Sequence, residues 1–361
     1  MQKAAVIGAG YMGSAITFPL SDNGIEVNLW GTWLDDSLIE SSLKGFHPKL
    51  KKPLPENVKL YYWRDIKAAL GDTEIIFIGI ASEGFVKVFE LLLDNLDPDR
   101  TYYFFKLTKG LVEYEGKIMR ATEAAFEMLR KKFNNEKGRN SSSSGKILWA
   151  SVGGPVRALD LAFRTPSASM YGLSDTKIKD MLQDFSTDYY RIFPTDDLEG
   201  VEICSIFKNV YAMAAGICDG IFKKENEGTY FNIVAFLFNQ AVQEIARIVE
   251  IAGRRKQTVF DLAGVGDLHV TSAAGRNRRY GELVGSGVDG ETAFKKMYAE
   301  GEFGEGFVAL KLGIPWLSDK YNVTENLMKE ELPLLNTLNR IIFKKENPAF
   351  SVKTLAAQLG Y

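Results

Sequence analysis

A mostly parallel α/β sheet domain followed by an all-helical domain is the fold this sequence predicts, and three observations predict it. Short apolar runs alternate with helical stretches from Lys3 to about Phe193, and a glycine cluster joins the first strand to the first helix. Beyond residue 196 no strand pattern recurs. At 361 residues the chain is too long for one ordinary core, so two domains are expected, over 1–196 and 197–361.

Lys3 to Ile7 reads as a short buried strand. Gly8-Ala9-Gly10-Tyr11-Met12-Gly13 follows at once, then a helical stretch to about Asn23 and a second strand from Glu26 to Trp30. A glycine pattern in that strand–turn–helix–strand setting is the dinucleotide turn of a Rossmann-type domain. Gly8 permits the tight turn, Gly10 the approach of backbone to a pyrophosphate, and Gly13 the packing of helix on sheet. The helix N-terminus, with Tyr11 and Met12, then faces the phosphates. After the second strand an acidic residue for NAD or an arginine for NADP is expected. This chain has Trp30-Gly31-Thr32-Trp33, and Asp35 and Asp36 are placed to start a helix. Thr32 could donate to a 2'-phosphate or to a 2'-hydroxyl, so NAD and NADP both stay open.

The alternation continues with an apolar central strand, Glu74 to Ile80, and an amphipathic helix, Phe85 to Leu96. Tyr102 to Leu107 is a further strand and runs into Thr108-Lys109-Gly110. Ligands of such sheets sit at the carboxyl ends of strands, which puts Lys109 where chemistry happens; an ordinary turn lysine is the alternative. A helix is expected from about Tyr114 to Phe133, then a polar, Ser-rich surface loop over 134–145. Ile147 to Ser151, Ser167 to Tyr171 and Tyr189 to Phe193 complete the strands, and Pro194 to Glu199 breaks the pattern.

The helical domain is organised around Val201 to Gly220, where Lys208 is the charged residue in the middle of a long apolar helix. Ile203, Ile206, Phe207, Val210, Met213, Ala214 and Ile217 recur at helical spacing around most of its circumference, so the helix should be buried. Small side chains, Cys204, Ala212 and Ala215, leave room for a ligand beside the ammonium. A lysine there either reaches solvent along its stem or needs a carboxylate, and Asp267 in the bend Gly264-Val265-Gly266-Asp267-Leu268 is the candidate. Asp267 could instead simply cap a helix. Arg276 and Asn277 offer a planar fork and an amide suited to a phosphate, against the alternative of a solvated basic turn, the reading given to Arg278 and Arg279. His47, in a Phe-His-Pro turn, is expected at the surface, and His269, with strand-like neighbours, is a lesser acid–base candidate.

Composition excludes other classes. Hydrophobic residues at 46% and charged residues at 25% are ordinary for a soluble globular chain, and a net charge of -2 offers nothing to nucleic acid or an anionic membrane. No apolar run reaches the length of a membrane span, and the opening strand is not a signal peptide. Cys204 and Cys218 lie on one helix, roughly 21 Å apart at its rise per residue, and cannot pair with each other. Free buried thiols point to the cytoplasm. Two histidines and two cysteines so placed give no metal-ligand spacing.

These residues together resemble the NAD(P)-dependent sn-glycerol-3-phosphate dehydrogenases along nearly the whole chain. The matching segments are Gly8 to Gly13, Leu29-Trp30-Gly31, Thr108-Lys109-Gly110, Gly154-Pro155, Val201 to Cys204 and Phe207 to Val210. Ala215 to Gly220, Gly266 to Thr271, Gly275-Arg276-Asn277 and Glu305-Gly306 complete the set. The resemblance implies an enzyme of glycerophospholipid and carbohydrate metabolism that interconverts dihydroxyacetone phosphate and sn-glycerol 3-phosphate with NAD or NADP. It implies Lys208 as general acid/base, with Lys109 and Asp267 as further catalytic groups. Thr271, Arg276, Asn277 and Lys109 would hold the substrate. Gly8, Gly10, Tyr11, Met12, Gly13, Thr32, Trp33, Lys109, Arg276 and Glu305 would meet the cofactor. The chain departs from the family pattern at Val156-Arg157, at Thr32 and in the Ser-rich loop. Two rivals follow: a dehydrogenase of another phosphorylated ketose or a hydroxy acid, and a non-catalytic NAD(P)-binding redox sensor. The partners expected are a small phosphorylated substrate and a second copy in a homodimer.

Overall fold

The computed structural model describes residues 2–135, 147–223 and 230–360; most of the expected Ser-rich loop lies outside them. The chain forms two compact units, Met1–Glu202 and Ile203–Tyr361.

The first unit is built on β1 (Lys3–Ile7), β2 (Glu26–Trp30), β3 (Val58–Tyr61), β4 (Ile75–Ile78), β5 (Tyr102–Lys106), β6 (Leu111–Tyr114), β7 (Lys117–Arg120), β8 (Ile147–Gly153), β9 (Ser167–Leu173) and β10 (Tyr190–Thr195). Eight of them form one sheet in the order β10-β9-β8-β5-β4-β1-β2-β3. Every pairing in it is parallel except β8 with β9. Strand order reverses between β1 and β4, so their carboxyl ends form the switch point at which such sheets take ligands.

The short strands carry apolar side chains on both faces, as a sheet covered twice requires. Ala4 and Val6 join Phe77 and Phe105 under α1 (Tyr11–Asp22), while Ala5 and Ile7 join Ile78 and Phe104 on the other face. On that second face the sheet packs on α2 (Ser82–Leu93) and α3 (Ala121–Asn135) through Phe85, Phe89, Ala124 and Ala125.

One expected helix is shorter than the sequence suggests. Tyr114 to Arg120 belongs to the antiparallel hairpin β6–β7, and α3 begins at Ala121. The cause is a two-residue turn, Glu115-Gly116, with φ of 49° and 74°, whose left-handed geometry suits hairpin twist. Strand β3 was not foreseen, and β10 continues through Pro194 to Thr195, an edge strand where a missing N–H is tolerated.

Helix α4 (Leu198–Phe222) is long and apolar enough to cross a membrane, but it is fully buried. Ile203, Ile206, Phe207, Val210, Met213 and Ile217 are each 1% exposed or less, which makes it the core of the second unit. The described remainder of that unit is helical: α5 (Phe231–Ile251), α6 (Asp267–Ala273), α7 (Arg276–Gly285), α8 (Gly290–Ala299), α9 (Glu305–Tyr321), α10 (Glu325–Glu331), α11 (Pro333–Phe343) and α12 (Pro348–Gln358). Helices α4 and α7 touch backbone to backbone. A Cβ on Gly216 would strike the Arg278 carbonyl, one on Gly220 the Glu282 carbonyl, and one on Gly281 the Met213 carbonyl. Four glycines at i, i+4 spacing, Gly216, Gly220, Gly281 and Gly285, thus permit an approach closer than ordinary side chains allow.

Candidate active site

In the first unit the glycine turn leads from β1 into α1 at the switch point. Gly8 has φ 108°, and a Cβ there would lie 2.7 Å from Ile80 Cγ2 and 2.8 Å from the Gly79 carbonyl oxygen. A Cβ on Gly13 would collide with the Gly8 carbonyl, and one on Gly79 would sit 2.8 Å from Gly13 Cα. Gly79, just past β4, is therefore a third member of this contact, unmarked in the sequence beyond closing an apolar strand. Gly10 differs, because a Cβ there meets no atom within 4 Å. Three glycines let backbone meet backbone, and the fourth borders open space at the N-terminus of a 12-residue helix. That is a cradle a side chain would fill, and it fits a pyrophosphate.

The ribose edge is built differently from the expectation. Thr32 does not offer a free hydroxyl proton: its N–H and Oγ1 both donate to Asp35 Oδ2, at 2.9 and 2.8 Å. Asp35 closes this turn, and Trp33 within it carries the Lys87 ammonium 4.1 Å from its ring centroid.

Lys109 follows β5, half-buried, before Gly110 at φ 126°. The residue that shapes its loop is Lys106, whose ammonium donates to the Thr108 carbonyl at 2.8 Å and pairs with Glu202 Oε1 at 2.8 Å. Glu202 also accepts from Arg120 Nη1 at 2.6 Å, Thr122 Oγ1 at 2.5 Å and Ser151 Oγ at 3.0 Å. Burial alone would raise the Glu202 carboxyl, but Lys106 and Arg120 outweigh it and hold it at about 2. Neither Lys106 nor Glu202 stood out in the sequence as members of this network, since their partners are far apart along the chain.

In the second unit Lys208 is 5% exposed at the centre of α4. Its Nζ donates to Asp267 and, at 3.1 Å, to Thr271 Oγ1. Asp267 opens α6 and Thr271 lies one turn on, so both face the lysine from one side of that helix. Lys208 and Asp267, expected as catalytic groups, and Thr271, expected at the substrate, are thus brought together. His269 has helical, not strand-like, neighbours; it is exposed, on the far side of α6 from Asp267, against the Phe238 ring.

Arg276 and Asn277 open α7 after Gly275, whose φ is 115°. Arg276 Nη2 donates to Glu305 Oε1 at 3.0 Å, and both side chains are about two-fifths exposed, at 43% and 38%. Asn277 turns inward: its Nδ2 donates to Asn209 Oδ1 and its Oδ1 accepts from Gly306 N–H, each at 2.9 Å. Its amide therefore ties α4, α7 and α9 together. Arg278 is not a solvated turn residue; its fork grips Asp219 at 2.5 and 2.8 Å, with Tyr230 Oη on the same carboxylate.

His47 corrects the sequence reading outright. It is fully buried, with Nε2 2.9 Å from Ser14 Oγ. The segment after α1 and β2 folds back onto the glycine turn, a contact between residues 33 apart that no local pattern announces.

Residues 3–135 match the family model described as NAD-dependent glycerol-3-phosphate dehydrogenase N-terminus, and residues 197–353 match the C-terminus of the same family. A glycerol-3-phosphate dehydrogenase [NAD(P)+] of Clostridium tetani is 30% identical over 97% of this chain and 90% of its own. An NADP(+)-dependent glycerol-3-phosphate dehydrogenase of Archaeoglobus fulgidus is 28% identical over 97% of this chain and 98% of its own. The crystal structure of glycerol-3-phosphate dehydrogenase from Coxiella burnetii superposes with a TM-score of 0.79 at 28% identity, covering 98% of each chain.

Proposed function

The chain belongs to the NAD(P)-dependent glycerol-3-phosphate dehydrogenase family, and from that premise we propose how its own residues carry the reaction. It is an oxidoreductase that interconverts dihydroxyacetone phosphate and sn-glycerol 3-phosphate with NAD or NADP. The bound nicotinamide supplies or takes up the hydride at the substrate's central carbon.

Lys208 handles the proton. In the reducing direction its ammonium polarises the ketone and gives one proton to the oxygen as charge develops there; in the oxidising direction the amine takes that proton back. One ketone, one hydride and one proton make one secondary alcohol. Asp267 keeps the buried ammonium charged, and together with Thr271 it fixes the direction of the N–H bonds. Lys109 is the second cation at the substrate, on a loop that Lys106 supports.

Arg276 and the first backbone amides of α7 hold the phosphate, with Glu305 orienting the guanidinium by accepting from Nη2. Fixing the phosphate fixes the carbonyl. Gly8, Gly10 and Gly13, with the amides of Tyr11 and Met12, receive the pyrophosphate, and Thr32 and Trp33 flank the adenosine ribose. Cys204 and Cys218, buried and outside any disulfide, support a reducing, cytoplasmic setting, and the working form in this reading is a homodimer.

The observation that carries the mechanism is the Lys208–Asp267–Thr271 cluster. Steady-state reduction of dihydroxyacetone phosphate with NADH and NADPH in parallel, beside longer ketose phosphates and 2-oxo acids, tests the reading. Dihydroxyacetone phosphate should have the highest kcat/KM; a longer ketose phosphate or an oxo acid ahead of it would overturn the substrate assignment.

A further inference from the structure

We propose that His47 is a positioning residue for cofactor binding, whose ring holds the glycine turn in the shape that receives a pyrophosphate. The ring is fully buried and all its polar atoms are engaged. Nδ1 accepts from the Leu50 N–H at 3.2 Å, which places the ring proton on Nε2. Nε2 lies 3.2 Å from the Ala9 carbonyl oxygen and 2.9 Å from Ser14 Oγ. A carbonyl can only accept, so the Nε2 proton is directed at Ala9 and shared with Ser14.

Those two partners sit on either side of the turn. Ala9 lies between Gly8 and Gly10, and Ser14 is in the first turn of α1, its N–H bonded to the Gly10 carbonyl at 3.0 Å. A planar trans peptide points its C=O and its following N–H in opposite directions. Holding the Ala9 carbonyl on the ring therefore aims the Gly10 N–H away from His47. Gly10 borders open space, and an N–H aimed outward at a helix N-terminus is the donor an anion needs. Burial keeps the ring neutral by pushing its pKa down, partly opposed by the Ala9 carbonyl, so the tautomer persists at neutral pH.

The segment bearing His47 is itself fixed. His47 N–H donates to the Lys52 carbonyl at 3.0 Å, Lys51 N–H returns to the His47 carbonyl at 2.8 Å, and Lys51 takes φ 57° to close the loop. Lys49 of the same loop places its ammonium 5.6 Å from the centroid of the Tyr11 ring, beside the start of α1. The loop thus braces the turn from two sides.

The proposal rests on Gly8–Gly13 as the cofactor turn, and the variants separate the two. A glutamine amide nitrogen reaches the Nε2 position, whereas an asparagine amide reaches only that of Nδ1. With the full-length chain, titration of NADH and NADPH should show His47→Leu and His47→Asn weakened about tenfold or more, the scale of one hydrogen bond. His47→Gln should stay within about threefold of wild type, although it loses the Leu50 contact. In turnover, the loss in His47→Asn should fall mainly on the cofactor KM, not on kcat. Melting temperatures of the Gln and Asn variants should drop together, so that affinity and stability rank differently. Wild-type affinity in His47→Asn, or equal losses in Gln and Asn, would overturn the proposal; the Gln–Asn pair decides it even where His47→Leu fails to fold. Unchanged affinity in Gly10→Val would remove the turn itself as the cofactor site, and the proposal with it.

Discussion

The ammonium of Lys208 donates to the carboxylate of Asp267, 59 residues further along, with only 7% and 4% of the two side chains exposed. Such a pair does two things at once, and substitution can separate them. Lys208→Ala should lower kcat by roughly 10²-fold or more, the scale of a general acid. It should also cost stability of about 3–5 kcal/mol, because the buried Asp267 carboxylate loses the ammonium it faces. The double variant Lys208→Met, Asp267→Asn should regain much of the melting temperature and none of the turnover. Lys208→Arg should rescue poorly, since fully buried Cys204 and Ala212 flank the site and a guanidinium does not give up its proton. Near-normal kcat in Lys208→Ala would end the general-acid assignment.

Arg276 and Asn277 are neighbours with opposite commitments. Arg276→Ala should raise the KM for dihydroxyacetone phosphate far more than that for dihydroxyacetone, because a fork is useful only to the phosphate. Asn277→Ala removes the tie between Asn209 and Gly306, so its main effect should be a fall in melting temperature, with both substrates affected alike. Equal losses for both substrates in Arg276→Ala would move the phosphate elsewhere.

The glycine turn separates fit from folding. Gly10→Ala adds a methyl to open space and should melt like wild type while binding cofactor more weakly. Gly13→Ala drives a methyl into the Gly8 carbonyl and should lose melting temperature whether or not cofactor is present. Calorimetric titration beside thermal melts reads both; tight cofactor binding by Gly10→Val would contradict the cradle.

Glu244 gives the second unit a pH dependence. On α5 it accepts from the Leu334 and Leu335 N–H groups at the start of α11, at 2.6 and 2.8 Å, and from Tyr211 Oη at 2.9 Å. Burial pushes its carboxyl up to about 7, against the pull of these donors and Gln240. The folded-state pKa lies above the unfolded value of 4.5, so the folded form binds the extra proton between the two. That contribution to stability is full below about 4.5 and is lost as pH rises through about 7. Glu244→Gln should flatten the fall in melting temperature between pH 5 and pH 8, measured in parallel with wild type. An unchanged slope would assign the dependence to another group.

How much of this was legible depended on how local the cause was. Lys208 announced itself because a charge in the middle of a long apolar helix, away from the acidic residues near its ends, is conspicuous, and Gly8 to Gly13 because the fingerprint sits between two strands. The Glu115-Gly116 turn was hidden inside a pattern that also reads as helix. Thr32 read as a ribose donor, and the bond of its hydroxyl to Asp35, three residues on, was not foreseen. His47 was misread because a Phe-His-Pro turn is ordinarily exposed, and its partners, Ser14 and Ala9, lie 33 and 38 residues away. The bonds of Asn277 to Asn209 and Gly306 were equally hidden, since nothing near it in sequence reveals either partner.

Where Gly216 and Gly220 face Gly281 and Gly285, peptide bonds rest on peptide bonds. Elsewhere in the core a bulky neighbour can swing to a new rotamer and absorb a substitution; here there is no side chain to swing. Lys208, two turns up α4, and Arg276, at the head of α7, are therefore carried on a frame whose spacing is set by van der Waals contact between backbone atoms. A reactive centre loses about 10²-fold for 1 Å of misplacement. The glycines act as the enzyme's ruler: they touch no substrate, yet drift at any one of them would be read out as lost turnover.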